Sequence, residues 1–213
     1  MTKLGILPAA GKGARFNGTF KELLPCGDGE TLLSRAVDNL EMAGVDETLV
    51  ITSHYKVAAH SMALQNRSVK YAVQRDYSHD VWGAITESFD MSADRNYYIM
   101  PDVWMTSGCL PIETEANFML GIFTTFSPEH FGVLLNGEIM DKDTTISGVQ
   151  QAWGAAIWSR NVVRFWKKWA GEIISHTQAF NMAMREFGYD LFEIPEYHDV
   201  GTFQAYKELL AHV

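Results

Sequence analysis

The sequence predicts a three-layer α/β domain with a mixed, mainly parallel sheet. Three observations carry that reading. Short apolar runs alternate with segments of helical spacing over the first hundred residues, a glycine-rich loop follows the first run, and an aspartate closes the run at 96–100. In sheets of this kind ligands gather at the carboxyl ends of the strands, where both the loop and the aspartate fall.

The elements follow in order. Leu4, Ile6 and Leu7 mark a buried first strand, and residues 31–43 (TLLSRAVDNLEMA) carry apolar residues at helical spacing with Gly44 as the stop. Residues 48–52 (TLVIT) and 69–73 read as strands on either side of a helix over 56–64. A helix over 80–89 leads to the strand NYYIM at 96–100, and further strands are expected at 119–126, 131–135 and 151–159. Two amphipathic helices follow, one carrying Val162, Val163, Phe165, Trp166 and Trp169, the other spanning 178–187. A last helix covers 203–211, with Thr202 as its cap. The aromatic stripe at Trp166 and Trp169 belongs to the core or to a contact between copies of the chain, so a homo-oligomer is a candidate assembly.

Length and composition limit the functions open to the chain. With 213 residues and no low-complexity linker or internal repeat, one domain is expected. The formal net charge of −9 argues against a general nucleic-acid binder. No apolar run approaches a membrane span, and Cys26 and Cys109 show no metal-ligand spacing, so a cytoplasmic protein without a membrane partner is expected. The seven histidines show no zinc motif.

The chemistry concentrates in KLGILPAAGKGARFNGTFKELLP, residues 3–25. Ala9, Ala10, Gly11, Gly13 and Ala14 allow the backbone to approach a phosphate chain closely, and Lys12, Arg15 and Lys21 supply positive charge. The spacing fits neither a Walker A loop nor a dinucleotide fingerprint.

The stretch resembles the signature of the sugar-1-phosphate nucleotidylyltransferases: a G-x-G-x-R loop (Gly11 to Arg15) after the first strand, then a lysine before Leu-Pro (Lys21 to Pro25). The resemblance is strongest to the bacterial enzymes that make UDP-glucose or dTDP-glucose, and it implies the Rossmann-like, single-domain α/β/α nucleotidyltransferase fold, with a nucleotide-binding half over 1–103 and a sugar-binding and carboxyl-terminal half over 104–213. It extends to YYIMPDVWM, where Asp102 takes the place of a magnesium ligand, and to EIPEYHDVGTF near the carboxyl end, where Asp199 takes the place of the other. Mg²⁺ is the implied cofactor, consistent with its preference for a few carboxylates plus phosphate and water.

Further along, SPEHFGVL resembles the segment whose glycine lies against the sugar, which assigns Gly132. Lys142 resembles the lysine on the sugar phosphate, although Asp141 and Asp143 replace the usual glutamate and proline. Gln74 resembles the residue that reads a pyrimidine base, an edge suited to an amide. Asp80 stands where relatives carry glycine.

The resemblance therefore implies transfer of a nucleotidyl group from UTP or dTTP to a sugar 1-phosphate with loss of pyrophosphate. Arg15 and the loop would bind the leaving phosphates, and Lys21 and Asp102 would act at the α-phosphate. Two alternatives stand beside it: a cytidylyltransferase acting on an alcohol phosphate, and a non-catalytic nucleotide-sugar-binding relative.

Overall fold

The computed structural model describes every residue except 14, 15, 17, 28, 76–79 and 92, and the backbone alone of Asp80. Strands β1 (Lys3–Pro8), β2 (Glu47–Thr52) and β3 (Val69–Val73) are parallel. They are joined by helices α1 (Leu32–Met42) and α2 (Val57–Ala63). Helix α3 (Asp80–Glu87) crosses the other face to β4 (Arg95–Ile99), which pairs in parallel with β1. These elements match the expected ones to within a few residues. The start of α1 has a local cause: Thr31 accepts from the Ser34 amide while the Ser34 hydroxyl accepts from the Thr31 amide, a capping box that fixes the first turn.

The second part of the chain enters the same sheet from the other side. After a short strand β5 (Val103–Met105) come β6 (Phe118–Thr125), the hairpin β7 (Val133–Leu135) and β8 (Glu138–Met140), and the long β9 (Gln150–Ser159). Helices α4 (Arg160–Trp169) and α5 (His176–Phe187) follow, then β10 (Asp190–Glu193), β11 (Tyr197–Asp199) and α6 (Phe203–His212). β9 lies antiparallel between β4 and β6, so the main sheet runs β10-β6-β9-β4-β1-β2-β3. The sheet is thus mixed. Among the described residues β5 and β11 form a separate two-stranded antiparallel ladder.

Alternation along the strands divides the core into two layers. One face of the sheet sends Ile6, Tyr98 and Trp158 against Trp82, Trp166 and Phe180 of α3, α4 and α5. The other sends Leu7, Tyr97 and Ile157 against Leu33, Val37 and Leu40 of α1. A third cluster seats α6 against the loop after β1 through Phe16, Leu32, Val200 and Leu209, and the Tyr206 hydroxyl donates to the Pro25 carbonyl at 2.8 Å.

Trp166 is not available to a partner. It is wholly buried, edge-on to Trp82 and Trp158 and stacked on Phe180, whereas Trp169 at the helix end is 40% exposed. Trp158 also points into this core. No helix among the described residues is long and apolar enough to cross a membrane.

Trp166→Ala is expected to lower stability by about 3–5 kcal/mol, measured by urea denaturation, because it empties the centre of the larger core.

Candidate active site

The carboxyl ends of β1, β2 and β4 open onto a cavity of about 360 Å³, lined by the glycine-rich loop, Lys21, Lys56, Gln74 and Asp102. Among the described residues no hydrogen bond uses the N–H groups of Ala10, Gly11, Lys12 or Gly13, so this backbone can donate to anionic oxygens. Gly11 and Gly13 are glycines for different reasons. A Cβ on Gly11 would meet nothing within 4 Å, so the fold itself does not require its smallness. Gly13 has φ +62, and a Cβ there would run into the Thr19 carbonyl. Ala14 and Arg15 lie outside the described residues.

A buried polar network underlies the loop. The Lys56 ammonium donates to the Ala9 carbonyl at 3.1 Å and to Glu22 Oε1 at 2.7 Å. His60 Nε2 lies 2.7 Å from the same oxygen, and its Nδ1 lies 2.9 Å from the Thr52 hydroxyl at the end of β2. A carboxylate can only accept, so Nε2 carries the proton. Burial alone would raise the Glu22 pKa, but the His60 hydrogen bond and the Lys56 charge outweigh it and hold the group below its ordinary value. Glu22 was legible only as a letter of the Lys-Glu-Leu-Leu-Pro motif. Lys56 and His60 gave no signal, since a lysine and a histidine four apart on a short helix read as surface residues.

Asp102 sits in the turn after β4 and forms an ion pair with Lys21 across the floor of this cavity. The β5–β11 ladder then brings Asp199 alongside. Asp199 pairs in register with Val103, and the Val200 amide donates to the Asp102 carbonyl at 3.1 Å. Both carboxylates act on the same phenol. Burial first, then the charges of Asp199 and Asp102, push the Tyr197 hydroxyl well above its usual pKa. Tyr197 was missed by the sequence analysis. Its ring stacks on Phe123 at 4.1 Å and occupies the space that a side chain at position 154 would fill, so Gly154 is required beneath it.

A second cavity of about 400 Å³ abuts the first, sharing Val81 and Met100 with it. Gly132, Lys142, Trp153, His176, Tyr197 and Asp199 line it. Gly132 and Lys142 thus lie in one wall system with Asp199. The smallness of Gly132 has a cause within the fold, since a Cβ there would strike the Trp153 indole. Lys142 is exposed at the cavity mouth, its amide held by the Asp141 carboxylate at 2.8 Å. Trp153 and His176, packed against each other at 5.5 Å, were not anticipated as walls. Gln74 is buried in the first cavity, with its backbone N–H donating to the Thr52 carbonyl at 2.8 Å.

Residues 5–101 match the model of the MobA-like NTP transferase domain. The matched segment runs from within β1 to the turn after β4. The fold of the whole chain is that of a nucleotidyltransferase: it superposes on a crystal structure from Bacillus anthracis, provisionally named a glucose-1-phosphate thymidylyltransferase and solved in complex with a sucrose, with TM-score 0.87. The two share 21% identity over 99% of this chain and 95% of the other. A search of curated proteins finds no significant match. Because 497 solved chains match significantly, the fold is widely shared and does not by itself choose a substrate. The matched segment contains the loop, Lys21, Lys56 and Gln74, and Asp102 lies one residue beyond it.

Two predictions follow from this geometry. Gly11→Ala is expected to leave stability within about 0.5 kcal/mol while weakening nucleotide binding, and Gly13→Ala to lose at least about 1 kcal/mol as well, by thermal denaturation and nucleotide titration. Glu22→Gln should cost about 3–5 kcal/mol at pH 7, because it leaves Lys56 buried without its counter-charge. With a depressed native pKa, the Glu22 contribution is full above the ordinary 4.5 and is lost as pH falls through the native value. Urea unfolding of the variant should therefore lack that part of the acid-side slope.

Proposed function

We propose that the protein transfers a nucleotidyl group from UTP or dTTP to a sugar 1-phosphate and releases pyrophosphate. The observation that carries this reading is the junction of the two cavities. The loop backbone, Lys21 and Asp102 line one side, and Trp153, His176, Lys142 and Asp199 line the other, with Val81 and Met100 shared between them. The match to an NTP transferase domain and the nucleotidyltransferase fold support the nucleotidyl-transfer part. The name of the Bacillus anthracis structure supports the sugar part, as do Gly132 and Lys142 in the second cavity.

In the proposed reaction an oxygen of the sugar phosphate forms a bond to the α-phosphorus. The bond from that phosphorus to the bridging β-oxygen breaks, and its electrons leave with pyrophosphate. The nucleophile is already an anion near neutral pH, so no general base is needed. The protein aligns two polyanions and offsets their repulsion. The loop N–H groups from Ala10 to Gly13, together with Lys12 and Arg15, would hold the departing β and γ phosphates. Lys21, now ion-paired with Asp102, would turn to the α-phosphate and the incoming phosphate. Gln74 would read the base edge, Gly132 and Trp153 would wall the sugar, and Lys142 would take its phosphate.

Asp102 and Asp199 would offer the hard carboxylate oxygens that suit Mg²⁺, and the register of Asp199 with Val103 supports their acting together. When bound there, Mg²⁺ would supply positive charge to the α-phosphate.

The test is pyrophosphate release with Mg²⁺ from a matrix of nucleoside triphosphates and sugar 1-phosphates. One productive pair is expected, and Asp102→Asn and Lys21→Met should each lower its rate by about 2–4 kcal/mol of transition-state stabilisation while remaining folded. Full activity in Asp102→Asn would overturn the assignment. Release with an alcohol phosphate and CTP instead would identify a cytidylyltransferase.

A further inference from the structure

A second cluster of potential ligands lies outside these cavities' floor, on the reverse side of β11. Strand alternation turns Tyr197 and Asp199 toward the proposed site and leaves Glu196 and His198 on the opposite side. There the last turn of α6 delivers His212. One ligand atom each from Glu196, His198 and His212 lies within 4.8 Å of the others, and among the described residues no other group of three or more potential metal ligands is brought together.

The arrangement is held from several directions. Glu196 is tied to β5 by backbone and side-chain bonds with Thr106, at 3.1 and 3.0 Å. His198 faces Trp104 in the ladder register. The Trp104 ring lies 5.4 Å from the His198 ring and 5.5 Å from that of His212, so one indole backs both imidazoles. The two imidazoles are themselves 4.7 Å apart, and Glu196 Oε2 is 3.1 Å from His212 Nε2. The glutamate accepts from one imidazole, and the second imidazole stands beside the pair.

We propose that Glu196, His198 and His212 form a site for a borderline transition-metal dication such as Zn²⁺, which clamps α6 onto the β5–β11 ladder. Two imidazoles and a carboxylate form the mixed nitrogen and oxygen set that such ions accept. The partial exposure of all three residues leaves room for water as a fourth ligand. Zn–N bonds of about 2.0–2.1 Å place tetrahedral ligand atoms about 3.3 Å apart. Glu196 and His212, at 3.1 Å, already stand near that spacing, and side-chain rotation can bring in His198, which lies within 4.8 Å. The donor chemistry separates this site from the all-oxygen Asp102/Asp199 pair, since Mg²⁺ disfavours imidazole. The site does not depend on the proposed reaction. Its place does give it a structural consequence, because it would join both ends of the segment 198–212, which begins beside Asp199 and includes all of α6.

The experiment is equilibrium dialysis of the full chain against Zn²⁺ in millimolar Mg²⁺, with metal analysis, and a parallel titration with Co²⁺ read by its visible absorption. One equivalent of Zn²⁺ per chain is expected, together with a higher unfolding midpoint that rises with metal concentration. His212→Ala and Glu196→Gln alter exposed positions and are expected to stay folded by circular dichroism. Each should bind Zn²⁺ at least about tenfold more weakly, and His198→Ala likewise. Absence of stoichiometric binding to the unaltered protein, or binding undiminished in the His198→Ala/His212→Ala protein, would overturn the proposal.

Discussion

The buried carboxylate of Glu22 is the point on which the end of the molecule that carries the glycine-rich loop depends. It accepts from Lys56 and His60 in a setting where none of the three is more than 4% exposed. Lys56 in turn grips the Ala9 carbonyl, and His60 reaches Thr52, so one anion joins the ends of β1 and β2, the start of α2 and the short turn that carries Lys21. At low local dielectric such a network holds only when its members are all paired. Orienting the Ala9 carbonyl toward Lys56 also sets the direction of the chain that follows. Next come the N–H groups of Ala10 to Gly13, which no hydrogen bond among the described residues uses. The cradle is therefore a consequence of the network beneath it as much as of its glycines.

The other end of the site rests on a different device. β9 enters antiparallel between β4 and β6 and merges the later part of the chain with the earlier sheet, which lets the second cavity share Val81 and Met100 with the first. The β5–β11 ladder then returns the chain from the far edge of the sheet to the turn after β4. Through it Asp199 comes to lie beside Asp102 although 97 residues of sequence separate them. Tyr197, stacked on Phe123 and seated over Gly154, fixes the height of that ladder against the sheet. Lys21 stands opposite, paired with Asp102, so the charges of the site are compensated within the chain.

Motifs marked most of what is local. Alternating apolar runs placed β1 to β4 and their helices nearly to the residue, because each buries a face whose period is written in consecutive side chains. The capping residue Thr202 and the stop at Gly44 were equally legible, since each acts on its own helix, whereas Thr31 read as part of its helix and proved to be the cap. The loop, Lys21 and Asp102 could be named because they lie within or directly after such elements. The aromatic stripe was harder. Spacing showed that Trp166 and Trp169 share a helix, but which of the two faces a core depends on where α3 and α5 pack.

Strand period, helix period, turn chemistry and the charge of the loop are properties of near neighbours in the chain, so residue order alone settled them. The contact of Glu22 with Lys56 and His60, the wall formed by Gly132 and Trp153, the approach of Asp199 to Asp102, and the meeting of Glu196 and His198 with His212 join residues from 14 to 97 positions apart. Only the folded sheet decides these, because no local pattern says which buried polar groups will share a partner. Their energies exist only once distant strands and helices have removed the water between them.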